Sequence, residues 1–233
     1  MARRIRRVTT TRAGGVSAPP FDSFNLGDHV GDDPAAVAAN RARLAAAIGL
    51  SGDRVVWMNQ VHSDRVVVVD GPRADPVDSV DALVTTAPRL ALAVVTADCV
   101  PVLMADARAG VIGAVHAGRV GAADGVVLRT LEAMLDRGAH AGDISVLLGP
   151  AVSGPNYEVP EQMAVDVEAR LPGSRTTTAQ GTPALDLRAG IARQLLAAGV
   201  AAIEVDSRCT VSDASLFSHR RDAPTGRLAS LVW

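Results

Sequence analysis

Three apolar runs in close succession, between residues 90 and 115, limit the fold of this 233-residue chain more than any other feature. The runs are Leu90–Thr96, Pro101–Ala105 and Val111–Val115, and turn-type residues separate them. Short apolar runs bounded by such residues predict buried strands. Three strands without an intervening helix argue against strict β-α-β repetition. They favour an α/β fold in which helices pack outside a mixed sheet.

Helical periodicity appears on both sides of these strands. Asp33, followed by a proline, predicts a helix start, and apolar residues at helical spacing continue that helix to about Ile48. The same kind of pattern predicts three further helices, over Ala122–Arg137, Glu161–Leu171 and Leu187–Ala198. No internal repeat or convincing linker divides the chain, so residues 1–233 are predicted to form a single catalytic domain.

A hairpin is predicted around His62. Arg54–Met58 and Arg65–Asp70 are runs rich in β-branched residues, which favour strands. His62 lies between them with Gln60 close by, so the turn of the hairpin would present both side chains.

Composition excludes several classes of protein. A net charge of −2 gives no reason to expect a nucleic-acid partner. No stretch approaches the roughly 18–20 consecutive apolar residues of a membrane span. Two distant cysteines do not form a disulfide framework, and the basic N-terminus lacks the apolar core of a secretory signal. A reducing, cytoplasmic setting is therefore expected, while the oligomeric state stays open.

His62, Cys99 and His116 are the side chains most suited to chemistry. Cys99 falls in the break after the first apolar run, and His116 ends the third. Residues at strand ends can converge at one edge of a sheet. Thiolate and imidazole are the ligands that Zn²⁺ prefers, and three protein ligands with an open fourth position are typical of a catalytic zinc site.

Two other interpretations of these three residues remain open. Cys99 is equally compatible with a small buried hydrophobic residue, beside two ordinary histidines. Cys99 is also compatible with a thiolate nucleophile whose proton is taken by a histidine that Asp98 or Gln60 orients. The two chemical roles of the thiol compete, because a sulfur bound tightly to zinc attacks poorly.

Arginines offer possible anion sites. The glycine-rich turn that contains Arg119 leads from a strand into a helix and could hold an anion, but a ligand-free turn fits equally well. Near the C-terminus, three further arginines could hold phosphate or carboxylate, or form a surface cluster: Arg220, Arg221 and Arg227. Four residues have no informative spacing and are interpreted as structural or exposed: Cys209, His29, His140 and His219.

The chain carries, in order, the motifs TTRAGGVS, FNLGDHVGDDPAAVAANR, NQVHSDRV, DALVT, TADCVPVLMAD, VIGAVHAG, GPAVSGPNYEV and CTVSDASLFSHRRDAPTGR. Together they resemble the bacterial family variously named laccase-domain proteins, polyphenol oxidase-like proteins, purine nucleoside phosphorylases and peptidoglycan editing factors. The resemblance runs from about Thr9 to the end of the chain. It implies a single-domain, layered α/β sandwich with a mixed β-sheet, of the cytotoxic necrotizing factor-like cysteine hydrolase type.

The resemblance also implies a metal site and a set of substrate contacts. The histidines of NQVH and HAG and the cysteine of ADC, here His62, His116 and Cys99, would hold one zinc ion per chain, with copper less favoured. The matched motifs suggest four substrate contacts: Asn25, Gln60, Asp98 and Arg221.

The activity implied by the resemblance is a zinc-dependent purine nucleoside phosphorylase with adenosine deaminase and methylthioadenosine phosphorylase activity. Its partners would be small nucleosides and phosphate. The alternatives are an amidase that edits a peptidoglycan precursor through Cys99 or a zinc-activated water, and a metal-binding protein without catalysis. A copper polyphenol oxidase is disfavoured because five histidines are few for several copper ions.

Two positions depart from the family's usual pattern. The family usually reads HAGWRG, whereas this chain reads HAGRVG, so Arg119 stands one residue earlier, which is about 100° on a helix. His219 also stands before the paired arginines, where the family tends to have tyrosine. Whether Arg119 takes the place of the usual arginine is left open by the sequence.

Overall fold

Twelve strands and six α-helices lie along residues 3–233, the part of the chain that the computed structural model describes. The strands are β1 (Arg7–Thr9), β2 (Val55–Val56), β3 (Val66–Val68), β4 (Ala82–Thr85), β5 (Ala91–Thr96), β6 (Val100–Asp106), β7 (Val111–Ala117), β8 (Ile144–Leu148), β9 (Arg175–Thr177), β10 (Pro183–Leu185), β11 (Ala202–Val205) and β12 (Leu228–Val232). The helices are α1 (Pro34–Ala47), α2 (Arg119–Asp124), α3 (Val126–Leu135), α4 (Glu161–Arg170), α5 (Leu187–Ala197) and α6 (His219–Asp222).

The strands form two large mixed sheets and one small pair. One sheet has four strands in the order β1-β12-β5-β2, and the other has six in the order β11-β8-β6-β7-β4-β3. Each contains parallel and antiparallel neighbours, and β9 pairs with β10 separately. The expected mixed α/β architecture with mixed sheets is thus confirmed. The cytotoxic necrotizing factor-like type and the assignment of residues 1–233 to one catalytic domain stay predictions.

The two large sheets pack against each other through alternate side chains. On β5, Leu92 and Val94 join Leu103 of β6 and Ile112 of β7 in one apolar core. The intervening alanines of β5 face the opposite way, toward a second core that includes α1. Burial on both faces explains why this run is continuously apolar instead of alternating with polar residues.

Helices cover the outer face of the six-stranded sheet. Val102 and Met104 of β6 share an apolar core with Leu131 of α3 and with Ile191 and Leu195 of α5. The layers are therefore α1, the four-stranded sheet, the six-stranded sheet and a group of helices. Within the described residues, no helix combines the length and apolar character needed to cross a membrane.

Most of the predicted elements are present, with limits that differ by a few residues. Asp33 caps α1, because its side chain accepts a hydrogen bond from the Ala35 amide. The predicted helix over Ala122–Arg137 is wrong in one respect: the chain breaks at Gly125, whose φ of 91° is left-handed, and two helices result.

Two expectations about the sheets are wrong, and both assign to one sheet strands that belong to two different sheets. The three apolar runs do not share a sheet, because β5 belongs to the four-stranded sheet while β6 and β7 belong to the six-stranded one. The hairpin around His62 does not form, because β2 and β3 also lie in different sheets. The segments that carry His62 and Cys99 are crossings from one sheet to the other, and this brings them together.

Candidate metal centre

His62, Cys99 and His116 converge in space from three separate segments. One ligand atom from each lies within 4.8 Å of the others. The Cys99 Sγ and His62 Nε2 atoms are 3.8 Å apart, and the two imidazole rings meet edge to face with centroids 4.7 Å apart. The cluster contains the residue types and the mutual distances that allow it to hold a metal ion.

The elements that carry these side chains explain their positions. His116 lies on β7 and is 3% exposed. Cys99 is partly exposed and directly precedes β6, after Asp98 turns the chain with a φ of 94°. His62 is exposed and also has a left-handed backbone, with φ 62°. A strand therefore fixes one ligand, while two tight crossings between sheets present the others.

Asp81 joins the two histidines and was not singled out from the sequence. Its fully buried carboxylate accepts hydrogen bonds from the backbone amides of Val61, His62 and Ser63 at 2.6–3.2 Å, and from Ser63 Oγ at 2.8 Å. It also lies 2.8 Å from His116 Nδ1. The one signal in the sequence was an acidic residue at the start of an apolar strand, in DALVT.

The contact with Asp81 decides which nitrogen of His116 faces the cluster. Burial favours the neutral carboxyl, but hydrogen bonds from His116 and Ser63 outweigh it and lower the pKa of Asp81 to about 2. An ionised carboxylate only accepts, so His116 Nδ1 is the donor. Nε2 is therefore the nitrogen that can bind a metal once it has lost its proton, the arrangement in which a carboxylate orients a histidine ligand.

The cluster favours a charged pair when no metal is bound. Burial opposes ionisation of Cys99, but the charge on His116 and hydrogen bonds from both histidines lower the pKa of the thiol to about 6. Burial likewise opposes the His116 imidazolium, but Cys99 and Asp81 raise the pKa of His116 to about 9. The thiolate required of a metal ligand is thus already present at neutral pH.

Gly118 leaves room for the cluster. A Cβ atom at this position would lie 2.7 Å from His62 Cδ2 and 3.2 Å from Cys99 Sγ, both too close. Two imidazoles, one thiolate and a clear approach fit Zn²⁺ with an open fourth position. Copper would accept the same donors.

The cluster opens into a cavity of about 570 Å³. Its lining includes cationic and aromatic side chains from distant segments: Arg119, Tyr157, His219, Arg220 and Arg227. His29 and His219, interpreted from the sequence as structural or exposed, are exposed and also line this cavity. His140 is exposed, and Cys209 is buried, its sulfur accepting hydrogen bonds from Ser153 and Asn156.

Gln60 and Asp98 line the cavity but are held by the protein. The Gln60 amide exchanges two hydrogen bonds of 2.8 Å with the backbone of Val95, which attaches the His62 loop to β5. The Asp98 carboxylate accepts from the hydroxyls of Thr210 and Ser218 and from the backbone amide of Arg220. Through these contacts, Gln60 and Asp98 hold adjacent segments of the chain in place.

Asn25 and Arg221 lie outside the cavity lining. Asn25 is fully buried, and its amide bonds Gly27, Asp32 and Arg227. The Arg221 guanidinium donates to Asp222 and to four backbone carbonyls, those of Thr210, Val211, Asp213 and Leu216. Of the paired arginines, Arg220 is the one that lines the cavity. A substrate role for Asn25 or Arg221 stays a prediction.

Arg119 lines the cavity although it stands one residue earlier than the family's usual arginine. It is the first residue of α2, and Gly118 precedes it with a φ of −73° and a ψ of 170°. Val120, the next residue, is 39% exposed. The sequence alone did not determine which of these two side chains would face the cavity.

Comparisons with known proteins extend over nearly the whole chain. A family model described as "Multi-copper polyphenol oxidoreductase laccase" matches residues 6–233. A protein of Mycobacterium tuberculosis (strain H37Rv) named purine nucleoside phosphorylase is 77% identical over 230 residues, which cover 99% of this chain and 92% of the relative. A protein of Corynebacterium glutamicum with the same name is 59% identical, with 99% and 95% covered.

Solved structures show the same fold. The crystal structure of Bacillus licheniformis hypothetical protein YfiH superposes with a TM-score of 0.92 at 34% identity, over 98% of this chain and 92% of that one. YlmD from Geobacillus stearothermophilus gives a TM-score of 0.91 at 36% identity, over 98% and 91%.

Proposed function

Since this chain belongs to the multi-copper polyphenol oxidoreductase laccase family, and its relatives at 77% and 59% identity are named purine nucleoside phosphorylase, we propose that it is a zinc-dependent purine nucleoside phosphorylase. The proposal includes deamination of adenosine and phosphorolysis of methylthioadenosine. The names of its curated relatives support phosphorolysis. Cytoplasmic location, and small nucleosides and phosphate as partners, are parts of the same proposal.

The observation that carries the proposal is the position of the His62, Cys99 and His116 cluster in the cavity. The cavity, about 570 Å³, lies within the range of small-molecule sites. Bound there, zinc would supply a Lewis acid that lowers the pKa of a water molecule. Within the described residues, this is the one group of three or more such side chains that could hold a metal ion. A polyphenol oxidase with several coppers would need more donors, so we disfavour it.

The protein's own residues prepare the site. Asp81 keeps a proton on His116 Nδ1, so the other nitrogen is available as a ligand. The same carboxylate holds the loop that carries His62. Cationic side chains on the cavity wall would attract an anionic co-substrate.

A second candidate function is supported by the pairing of Cys99, His116 and Asp81. A thiol with a lowered pKa, an imidazole beside it and a buried carboxylate on the far ring nitrogen are the parts of a nucleophilic cysteine site. Such a site would attack an amide, as in editing of a peptidoglycan precursor. It would act without metal, whereas the first proposal requires one. A metal-binding protein without catalysis is the remaining alternative.

The test is to measure bound metal and to incubate the protein with adenosine, inosine and methylthioadenosine, with and without phosphate. We expect about one zinc per chain, free base that depends on phosphate, and inosine from adenosine without it. Cys99→Ala should lose metal and turnover, while Cys209→Ser, a control at the buried thiol, should keep both.

Three outcomes would contradict the proposal. Zinc without turnover of any nucleoside would leave a metal-binding protein. Release of an amino acid from a peptidoglycan precursor by metal-free protein, lost in Cys99→Ala, would favour the amidase. Several equivalents of bound copper per chain would favour the copper polyphenol oxidase.

A further inference from the structure

Three arginines line the cavity without a carboxylate partner. Arg119, Arg220 and Arg227 form no ion pair with any aspartate or glutamate in the part of the chain that the structure describes. Asp98 is the one acidic residue in the lining, and its oxygens already accept three hydrogen bonds. Three guanidinium groups face the Asp98 carboxylate and the Cys99 thiolate, so the cavity keeps an excess of positive charge.

Two of these arginines lie near one phenol, that of Tyr157. The Arg220 guanidinium is 5.1 Å from the centre of the Tyr157 ring. Burial raises the pKa of Tyr157, although Arg119 and Arg220 act in the opposite direction and are therefore both close to it. Tyr157 thus stays protonated at neutral pH and can donate a hydrogen bond close to two cations.

Both arginines are attached to the metal centre through the backbone. Arg119 follows Gly118, which lies so close to His62 and Cys99 that an added Cβ would meet both side chains. The backbone amide of Arg220 donates to the carboxylate of Asp98, the residue before Cys99, at 2.7 Å. An anion held by the two guanidinium groups would therefore lie in the same cavity as the cluster.

We propose that Arg119, Tyr157 and Arg220 form the phosphate subsite of the enzyme. The inference rests on the proposed function, because phosphorolysis needs inorganic phosphate as the attacking group. Two guanidinium groups and one hydroxyl match a tetrahedral dianion, which accepts several charge-assisted hydrogen bonds. Arg220 and Arg227 both donate within the protein: Arg220 from Nη2 to the carbonyl of Glu158 at 3.0 Å, and Arg227 from Nη1 to the carbonyls of Thr225 and Gly226. Arg227 is left outside the subsite because Arg119 and Arg220 are the arginines that act on Tyr157.

The reaction at this subsite balances without another reagent. An oxygen of HPO₄²⁻ forms a bond to C1′ of the ribose, and the bond from C1′ to the purine nitrogen breaks. The electron pair leaves with the purine, which takes up the proton that phosphate brought. The products are the free base and ribose 1-phosphate, whose phosphate group remains in the subsite.

The test measures binding of inorganic phosphate to the zinc-loaded protein by equilibrium dialysis, beside the steady-state KM for phosphate with inosine. Arg119→Gln and Arg220→Gln should each weaken phosphate binding and raise this KM by roughly 10- to 100-fold, as expected for loss of one charged hydrogen-bonding partner. The KM for inosine should change by less than about threefold, a small effect on this scale. Ribose 1-phosphate should compete with phosphate.

Two kinds of variant serve as controls. Arg43→Gln removes an exposed arginine on α1 and should change neither value. Arg119→Lys and Arg220→Lys keep the charge without the two-pronged geometry, and should recover part of the affinity. Zinc content and thermal unfolding of every variant would show that the metal centre and the fold are intact.

The outcomes separate failure of the subsite from failure of the proposed function. Phosphorolysis with an unchanged KM for phosphate in both glutamine variants would contradict the subsite and leave the function standing. The unaltered protein could bind phosphate and turn over no nucleoside, while both glutamine variants lose the binding. That result would support the subsite and contradict the proposed function. No binding of phosphate to the unaltered protein would overturn the subsite.

Discussion

The two histidines of the metal centre are held in different ways. His116 is a buried residue of β7 with Nδ1 bonded to Asp81, so both its backbone and its ring are fixed. His62 is exposed, has a left-handed backbone, and meets the same carboxylate through its backbone amide alone. One ligand thus belongs to the core and the other to a loop, and Asp81 links the two.

Removing each histidine in turn should expose this difference most clearly. Both His116→Ala and His62→Ala should lose tight zinc binding, because each leaves two protein ligands. His116→Ala also leaves the Asp81 carboxylate without its cationic partner, so the metal-free protein should lose about 3–5 kcal/mol of unfolding free energy. His62→Ala should change it by less than about 0.5 kcal/mol. Urea unfolding of the metal-free variants measures both, and equal losses would contradict the comparison.

Asp81→Asn should weaken the hydrogen bonds that hold both histidines in place. An amide nitrogen cannot accept, so at least one of the donors now bonded to this side chain would lose its acceptor. We expect zinc affinity to fall about 10- to 100-fold, measured by competition with a chromophoric chelator. The matched control is Asp64→Asn, at a partly exposed ion pair with Arg129, which should have little effect. An unchanged affinity in Asp81→Asn would show that the link is unimportant.

The pH dependence of zinc binding should report the state of His116. Zinc needs the Cys99 thiolate, present above pH 6, and neutral His116, whose pKa is about 9 in the metal-free protein. Binding between these values should release a proton from His116, so the apparent affinity should rise about tenfold per pH unit and level off above pH 9. Calorimetry in buffers of different ionisation enthalpy counts the protons. Affinity that is flat over this interval would mean that His116 is neutral before metal binds.

Gly118→Ala should give the smallest effect and should act mainly on the loop. The added methyl group would contact His62 and Cys99, and the exposed His62 loop can move more easily than β7. We expect zinc affinity to fall by about tenfold or less, as for changes at residues that support a metal ligand, with the stability of the metal-free protein nearly unchanged. Gly142→Ala, where a Cβ meets no atom within 4 Å, is the matched control. A large loss of stability would indicate that the loop is as rigid as the strand.

The same contrast explains what could be predicted from the sequence. Alternation and apolar runs gave β5, β6 and β7, and therefore placed His116 and Cys99 at strand ends. Capping by Asp33 was also predictable, because it depends on neighbours within one turn. These features are local, so a single sequence contains them.

The remaining features depend on contacts between distant segments. Sequence patterns do not say which sheet a strand joins, so they predict turns within one sheet at His62 and Cys99, where the chain crosses from one sheet to the other. Asp81 acts through hydrogen bonds to segments 18 to 35 residues away, and nothing in its own neighbourhood announces them. The direction of Arg119 was equally open, because one residue on a helix changes the face that a side chain takes.

The central claim is that the cluster of His62, Cys99 and His116 holds one catalytic metal ion. The most direct measurement is a titration of metal-stripped protein with zinc, following the phosphate-dependent release of hypoxanthine from inosine. We predict no activity without zinc, a linear rise to a plateau at about one equivalent, and no recovery in Cys99→Ala. Full activity of the metal-free protein, or recovery of Cys99→Ala by zinc, would contradict the claim.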